Sequence, residues 1–169
     1  AFYGRAFNRY LQLLKQSVPI AKLEDADVIL CVGLNTRFAR SVIGVALRRA
    51  VRRGAKVITV NPNPHNLTLL ADVWLQPLPN EEVAYLNHLR SATGANAETT
   101  EYLPEWGVAG HQNGARGKLA YASQLLRGAT APLIAVGTEF MQCDYNADLL
   151  EAVGALPSQT TGAPKHTVA

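Results

Sequence analysis

The feature that most constrains this chain is the run Asp27-Val-Ile-Leu-Cys-Val-Gly33, five apolar residues in succession closed by a glycine. A strand with one wet face alternates apolar and polar side chains. An unbroken run therefore calls for cover on both faces, as in a parallel sheet held between helical layers. The same construction returns at Lys56-Val-Ile-Thr-Val-Asn61 and at Pro132-Leu-Ile-Ala-Val-Gly137, with a shorter Val73-Trp-Leu-Gln76 between them. Each of these segments is a predicted strand.

Between the strands the apolar period becomes helical. From Ala39 to Arg53, Ile43, Ala46, Leu47, Ala50 and Val51 recur at i, i+3, i+4, i+7 and i+8, and Gly54 stands where a left-handed cap belongs. Residues 5–16 place Phe7, Tyr10, Leu11 and Leu14 at helical spacing, and further helices are expected at 81–90, 116–127 and 146–156, with a short one at 65–70 after the Pro62-Asn63-Pro64 breaker. Strands alternating with helices through short loops pair in parallel by right-handed crossovers. The expectation is an α/β fold: a three-layer, Rossmann-like open parallel sheet of four to five strands with helices on both faces.

A chain of 169 residues with 48% hydrophobic content can bury one ordinary core. The expected organisation is a single α/β domain over 1–156. Within it, 91–115 form an irregular excursion rich in Ala, Thr, Gly and Asn and anchored by Tyr102, Leu103 and Trp106, and 157–169 follow as a flexible tail. A start at Ala1 directly on Phe2 and Tyr3, without methionine, reads as a cut inside a longer protein. No apolar run approaches the ~20 residues of a membrane span. The expected location is cytoplasmic, peripheral at a membrane only through partner subunits. Cys31 falls in a strand and Cys143 on a loop, a spacing that matches no metal site and suits two reduced thiols. Charge is uneven: residues 28–71 hold seven Arg or Lys and no acid, whereas 72–169 hold five against ten. Arg48, Arg49, Arg52 and Arg53 share one helix without interleaved aromatics, which reads as a solvated outer face rather than a nucleic-acid surface.

At the carboxyl ends of parallel strands a crevice forms, and helix N-termini there offer amide donors to anions. Gly33-Leu-Asn-Thr36 and Gly137-Thr-Glu139 each leave a strand through glycine into polar residues, so they are the expected binding edge. No second glycine follows Gly33, which disfavours a plain nicotinamide-dinucleotide fold. The run Gly110-His-Gln-Asn-Gly-Ala-Arg-Gly-Lys118 mimics a phosphate loop, but Gln112 stands where the first glycine belongs and Leu119 where a serine or threonine is needed. No histidine pair, catalytic triad or paired carboxylates stand out, so no catalytic and no metal-binding residue is assigned.

Ala26-Asp-Val-Ile-Leu-Cys-Val-Gly-Leu-Asn35, continued by Arg48-Arg-Ala-Val-Arg-Arg-Gly-Ala-Lys-Val-Ile-Thr-Val-Asn-Pro62 and by Ala71-Asp-Val-Trp-Leu-Gln-Pro-Leu-Pro-Asn-Glu-Glu-Val-Ala84, resembles the central domain of molybdopterin oxidoreductases. The family's pattern there is similar to "ADVILVVGxNP", a helix, "RxGAKLIVIDPR", then "ADxxLQPxPGTD" and a helix, and the likeness covers residues 23–92. Leu119 to Leu156 is similar, more weakly, to the family's returning strand and helix. The resemblance implies a molybdopterin guanine dinucleotide site at the strand ends, formed by Gly33, Leu34, Asn35 and Thr36, by Asn61, Pro62 and Asn63, by Gln76 and the turn to Glu82, and by Gly137 and Thr138.

Three motifs depart from the family. Asn-Pro becomes Asn35-Thr36, Asp-Pro-Arg becomes Asn61-Pro62-Asn63, and Pro-Gly-Thr-Asp becomes Pro79-Asn80-Glu81-Glu82. Losing an acid that pairs with guanine or ribose donors, while gaining carboxylates beside a phosphate, implies a weakened hold on an anionic cofactor. The domain is then either a degenerate pterin site or a scaffold. Gly33-Leu-Asn-Thr-Arg-Phe38 resembles the "GxNPRF" turn of the large iron–sulfur subunit of NADH-quinone oxidoreductase (complex I), the branch expected here ahead of formate dehydrogenase. The partners implied are the remaining domains of a parent oxidoreductase and its other subunits, with iron–sulfur clusters only in those other parts. The isolated chain is expected to be catalytically silent. A thiamine-diphosphate-enzyme central domain and a non-enzymatic assembly module are the alternatives.

Overall fold

The structure is a computed structural model that describes residues 4–37, 41–78, 81–93, 109–138, 144–156 and 165–168. Its elements run α1 (Arg5–Lys15), a 3-10 turn (Ile20–Asp25), β1 (Val28–Val32), α2 (Ser41–Arg52), β2 (Lys56–Val60), β3 (Val73–Leu75), α3 (Glu82–Thr93), α4 (Ala109–Gly128), β4 (Pro132–Val136), α5 (Asn146–Ala155) and β5 (Lys165–Val168). The five strands form one sheet in the order β3-β2-β1-β4-β5, every neighbouring pair parallel. The expected α/β architecture is the one observed.

Side chains of β1 divide between two cores. Val28, Leu30 and Val32 pack with Leu13 of α1, Leu86 and Leu89 of α3, Leu119 and Leu126 of α4, and Leu149 and Val153 of α5. Ile29 and Cys31 point the other way, to Leu23 of the 3-10 turn, to Ile43, Ala46, Leu47 and Ala50 of α2, and to Leu67. This two-sided burial is why the run is unbroken. Gly54, at φ 102°, takes the left-handed conformation that closes α2, and the Ala55 amide donates back to Ala50 (3.1 Å). Arg49 of α2 and Arg53, just beyond its end, reach Glu24 at 3.1 and 2.9 Å, pinning the 3-10 turn to the sheet's second face.

Several expectations are corrected. Residues 165–168, assigned to a flexible tail, form β5 at the sheet edge, hydrogen-bonded to β4. The excursion is invaded from both sides, because α3 runs to Thr93 and α4 starts at Ala109; its proposed anchors Tyr102, Leu103 and Trp106 lie outside the described residues. The phosphate-loop mimic 110–118 therefore lies inside a helix. Residues 65–70 make successive turns rather than a helix, with the amides of Thr68 and Leu70 donating to the carbonyls of His65 and Leu67. In α1 the buried residues are Ala6 and Leu13, while Phe7, Leu11 and Leu14 are exposed at 41%, 39% and 36%. Cys31 is a free, fully buried thiol whose pKa burial pushes up to about 12, so it is no nucleophile. No described helix is long and apolar enough to cross a membrane.

At the amino-terminal edge two aspartates hold the sheet. The Asp27 carboxylate accepts from the amides of Thr130 (2.6 Å) and Ala131 (3.0 Å) and from the Thr130 hydroxyl (2.8 Å), joining the approaches to β1 and β4. Asp72 does the same between β3 and β2, accepting from the Val57 amide (2.9 Å) and from Lys56 Nζ (2.8 Å). Partial desolvation pushes the Asp27 carboxyl up, but the hydrogen bonds from Thr130, Ala131 and Val28 outweigh it and hold the group below its usual value. A carboxyl depressed in the folded state contributes stability that is present above its unfolded pKa and lost as pH falls through the folded one. Asp27→Asn should therefore cost about 1–2 kcal/mol at neutral pH. In urea denaturation the gap between variant and wild type should close as pH drops below the usual carboxylate range; a gap independent of pH would refute the clamp.

Candidate functional site

The sheet order places the topological switch at β1, with α2 leaving to one face and α5, after β4, to the other. Ligands in such sheets bind beyond the carboxyl ends of the strands near that switch. Here the loops leaving β1 and β4 touch. Gly33 adopts φ 55°, and a Cβ added to Gly137 would overlap the Gly33 carbonyl and the Cα of Leu34. With that gap shut, the space opens instead over β1 and β2 as a cleft of about 490 Å³. Its lining is Val32, Gly33 and Asn35 from β1, Val60 to His65 from β2, Glu82 at the start of α3, Thr138 after β4, and Tyr145 and Leu149 at the start of α5.

The two asparagines fold their own loops. Asn35 Oδ1 accepts from the Arg37 amide and Asn61 Oδ1 from the Asn63 amide, both at 3.0 Å, the side-chain turn that asparagine makes better than most residues. Trp74 Nε1 donates to the Asn61 carbonyl (2.9 Å), and Gln76 Nε2 donates to the Pro62 carbonyl (3.1 Å), so β3 braces the loop after β2. Glu81 turns back to accept from the Leu78 amide (3.1 Å) and secures the entry to α3. Glu82, the next residue, is only 8% exposed and its Oε2 has no hydrogen-bond partner. Thr59 Oγ1 and Asn66 Oδ1 are also buried without one outside the cleft lining, and the buried Nε2 of His65 belongs to that lining.

Residues 6–167 match the molybdopterin oxidoreductase family. The chain belongs to that family. Among curated relatives it is 37% identical over 68 residues to the F420-dependent formate dehydrogenase 1 subunit alpha of Methanococcus maripaludis, covering 40% of this chain and 10% of that protein. It is 28% identical over 83 residues to the probable oxidoreductase YjgC of Bacillus subtilis, covering 48% and 8%. The chain thus spans about a tenth of the length of the curated relatives it matches. Among solved structures, acetylene hydratase from Pelobacter acetylenicus superposes with a TM-score of 0.59 at 15% identity, covering 83% of this chain and 23% of that one. The formyltransferase/hydrolase complex of Methylorubrum extorquens gives 0.55 at 17%, covering 97% and 43%. These two likenesses show the fold. With the family shown, the thiamine-diphosphate alternative falls away.

Of the residues expected at the cofactor, Gly33, Asn35, Asn61, Pro62, Asn63 and Thr138 line the cleft. Leu34, Thr36, Gln76 and Gly137 are not in its lining. Leu34 is core, 1% exposed. Thr36 sits under Gly44 and accepts from Asn66 Nδ2 (2.7 Å). Gln76 braces the Pro62 carbonyl, and Gly137 provides the close approach. Sequence reasoning missed His65 and Tyr145, and it took Glu82 both as the end of a turn at the implied cofactor site and as a charge that repels phosphate. The signal for Glu82 was present, since it occupies the final position of the Pro-Gly-Thr-Asp motif and keeps the acid one methylene longer. No described group of His, Cys, Asp and Glu could hold a metal ion.

The Gly33–Gly137 contact is backbone against backbone, which no side-chain rotation relieves. Gly137→Ala should lose about 2–3 kcal/mol of stability. Gly117→Ala, inside α4 with nothing within 4 Å of the new Cβ, should instead gain about 0.5–1 kcal/mol. Thermal denaturation of the pair would refute the close approach if Gly137→Ala proved neutral.

Proposed function

We propose that this domain forms one wall of the cofactor cleft in the large subunit of a formate dehydrogenase-like molybdopterin oxidoreductase, where it receives the guanine end of a pterin guanine dinucleotide. The observation that carries this reading is Glu82, a residue of the cleft lining whose Oε2 is buried without a hydrogen-bond donor. Such an atom costs about 1–3 kcal/mol when unsatisfied, and adjacent N–H groups of a guanine edge would satisfy it. Val32, Val60 and Leu149 give the cleft an apolar floor, and the amino group of Asn35 is a further donor for ribose or base. The bound cofactor would supply the redox chemistry. This chain's part is to bind, orient and exclude water, with electron transfer assigned to the remaining domains and partner subunits.

The turn beginning Gly33-Leu-Asn-Thr-Arg37 favours a second reading, the NADH-quinone oxidoreductase branch, in which the same fold stands as scaffold beside iron–sulfur clusters. Acid hydrolysis of the purified parent protein separates the two. Guanine nucleotide released in equal amount with pterin is the expected result; a parent protein carrying clusters but neither pterin nor guanine would overturn the first reading and leave the second. The isolated 169-residue chain should reduce no viologen dye with formate or with NADH, and dye reduction by it would contradict both.

A further inference from the structure

We propose that the cleft of this chain has kept base recognition and lost phosphate recognition: it takes an uncharged purine edge with adjacent N–H donors, and an attached diphosphate weakens the binding. The inference rests on the reading that a guanine end occupies the cleft and adds what the cleft rejects.

Phosphate at a strand-to-helix turn is held by unoccupied backbone amides and by Lys or Arg. The described lining lacks the cations, and several amides of the adjoining loops are already taken. The Arg37 amide donates to Asn35 Oδ1, and the Asn63 amide donates to Asn61 Oδ1. Further along the same loop the Leu67 amide donates to His65 Nδ1 (3.2 Å), and at the entry to α3 the Leu78 amide donates to Glu81. These four loop amides are thus taken by the loops' own side chains. No Lys or Arg belongs to the described lining. With Nδ1 accepting, His65 in this arrangement carries its proton on Nε2 and is a neutral donor rather than a cation. Of the arginines on α2 and just beyond its end, Arg49 and Arg53 are engaged with Glu24 on the far face of the sheet. The formal charge in the lining is that of Glu82, buried and negative.

A phosphate entering this cleft meets no Lys or Arg of the described lining and meets like charge at Glu82. Guanine meets the opposite. Its ring N–H and neighbouring amino group present two donors side by side to a carboxylate, whereas adenine places an acceptor beside its amino group.

The test is titration of the 169-residue chain with guanosine, GDP without divalent cation, and adenosine, followed by amide chemical shifts at low and moderate salt. Guanosine should perturb the cleft residues and bind more tightly than GDP, on the order of tenfold at low salt. The gap should narrow as salt screens the repulsion, with adenosine weakest. Glu82→Gln, checked for folding by its own amide spectrum, should weaken guanosine about tenfold and remove the preference over GDP. GDP binding more tightly than guanosine in the wild-type chain would overturn this inference and leave the guanine site intact. Silence with both ligands would overturn the inference and the guanine site together.

Discussion

The level at which the strands begin decides what happens where they end. Asp27 ties the approach to β4 onto the approach to β1 across 103 residues of sequence, and Asp72 ties β3 to β2 in the same manner. Both acids stand in an Ala-Asp-Val triplet, one at 26–28 and one at 71–73. With these clamps set, Val28 pairs with Lys56 on one side and Pro132 on the other, and at the far end of the strand Val32 still lies level with Val60 and Val136. Gly33, Asn61 and Gly137 therefore leave the sheet at one height. A cleft assembled from three separate loops needs that common height, so a carboxylate at one edge of the sheet fixes the geometry of the opposite edge.

The second constraint is contact between loops. An open parallel sheet of this order would place its crevice directly between β1 and β4. Here Gly33 and Gly137 fill that gap with backbone, and the accessible space moves over β1 and β2, where the wall is completed by the first residues of α3 and α5. Those two helices pack on the same face of the sheet and against each other, so their N-termini arrive together at the cleft. The other face carries α2, the 3-10 turn and the turns around Leu67, a thinner cover that the Arg49 and Arg53 pairs with Glu24 hold in place. Partly exposed ion pairs of this kind stabilise only modestly. Their effect here is to fix where the chain enters β1.

Legibility in the sequence followed burial. β1, β2 and β4 were readable because strands covered on both faces leave no polar residue to break the run, and α2 was readable because its inward stripe ends at a glycine with positive φ. The start of α4 was not: Gly110, Gly114 and Gly117 suppress helical propensity, and the pattern that packs, Leu119, Ala122 and Leu126, begins only later. β5 was hidden because Lys165-His-Thr-Val168 carries little apolar content and lies at the sheet edge. In the site, Gly33, Asn35, Asn61 and Asn63 were legible from a general rule about strand ends. Glu82 and Tyr145 were not placed by that rule, since they join the cleft through the packing of α3 and α5; Glu82 was marked only by its place in a family motif, and no local pattern encodes Tyr145. α1 shows the converse error: Phe7, Leu11 and Leu14 form a clean apolar stripe, yet Ala6 and Leu13 are what the sheet buries.

What remains is an imbalance within the cleft. Each asparagine closes its own turn, Asn35 onto the Arg37 amide and Asn61 onto the Asn63 amide, so those turns reach their conformation without a ligand. Glu82 stands apart from them as a carboxylate oxygen withdrawn from water with nothing supplied in exchange. Local rules of polar satisfaction tend to be broken where function requires it, and the surrounding fold carries the cost. Two buried layers of aliphatic side chains give this domain the stability to do so. A purely structural role for the cleft would put no selective demand on a buried acid there, and an apolar side chain of similar size would pack α3 against the sheet at lower free energy. On the proposed reading, that carboxylate is the feature by which a cleft shaped around a donor-bearing ligand differs from one that serves as scaffold alone.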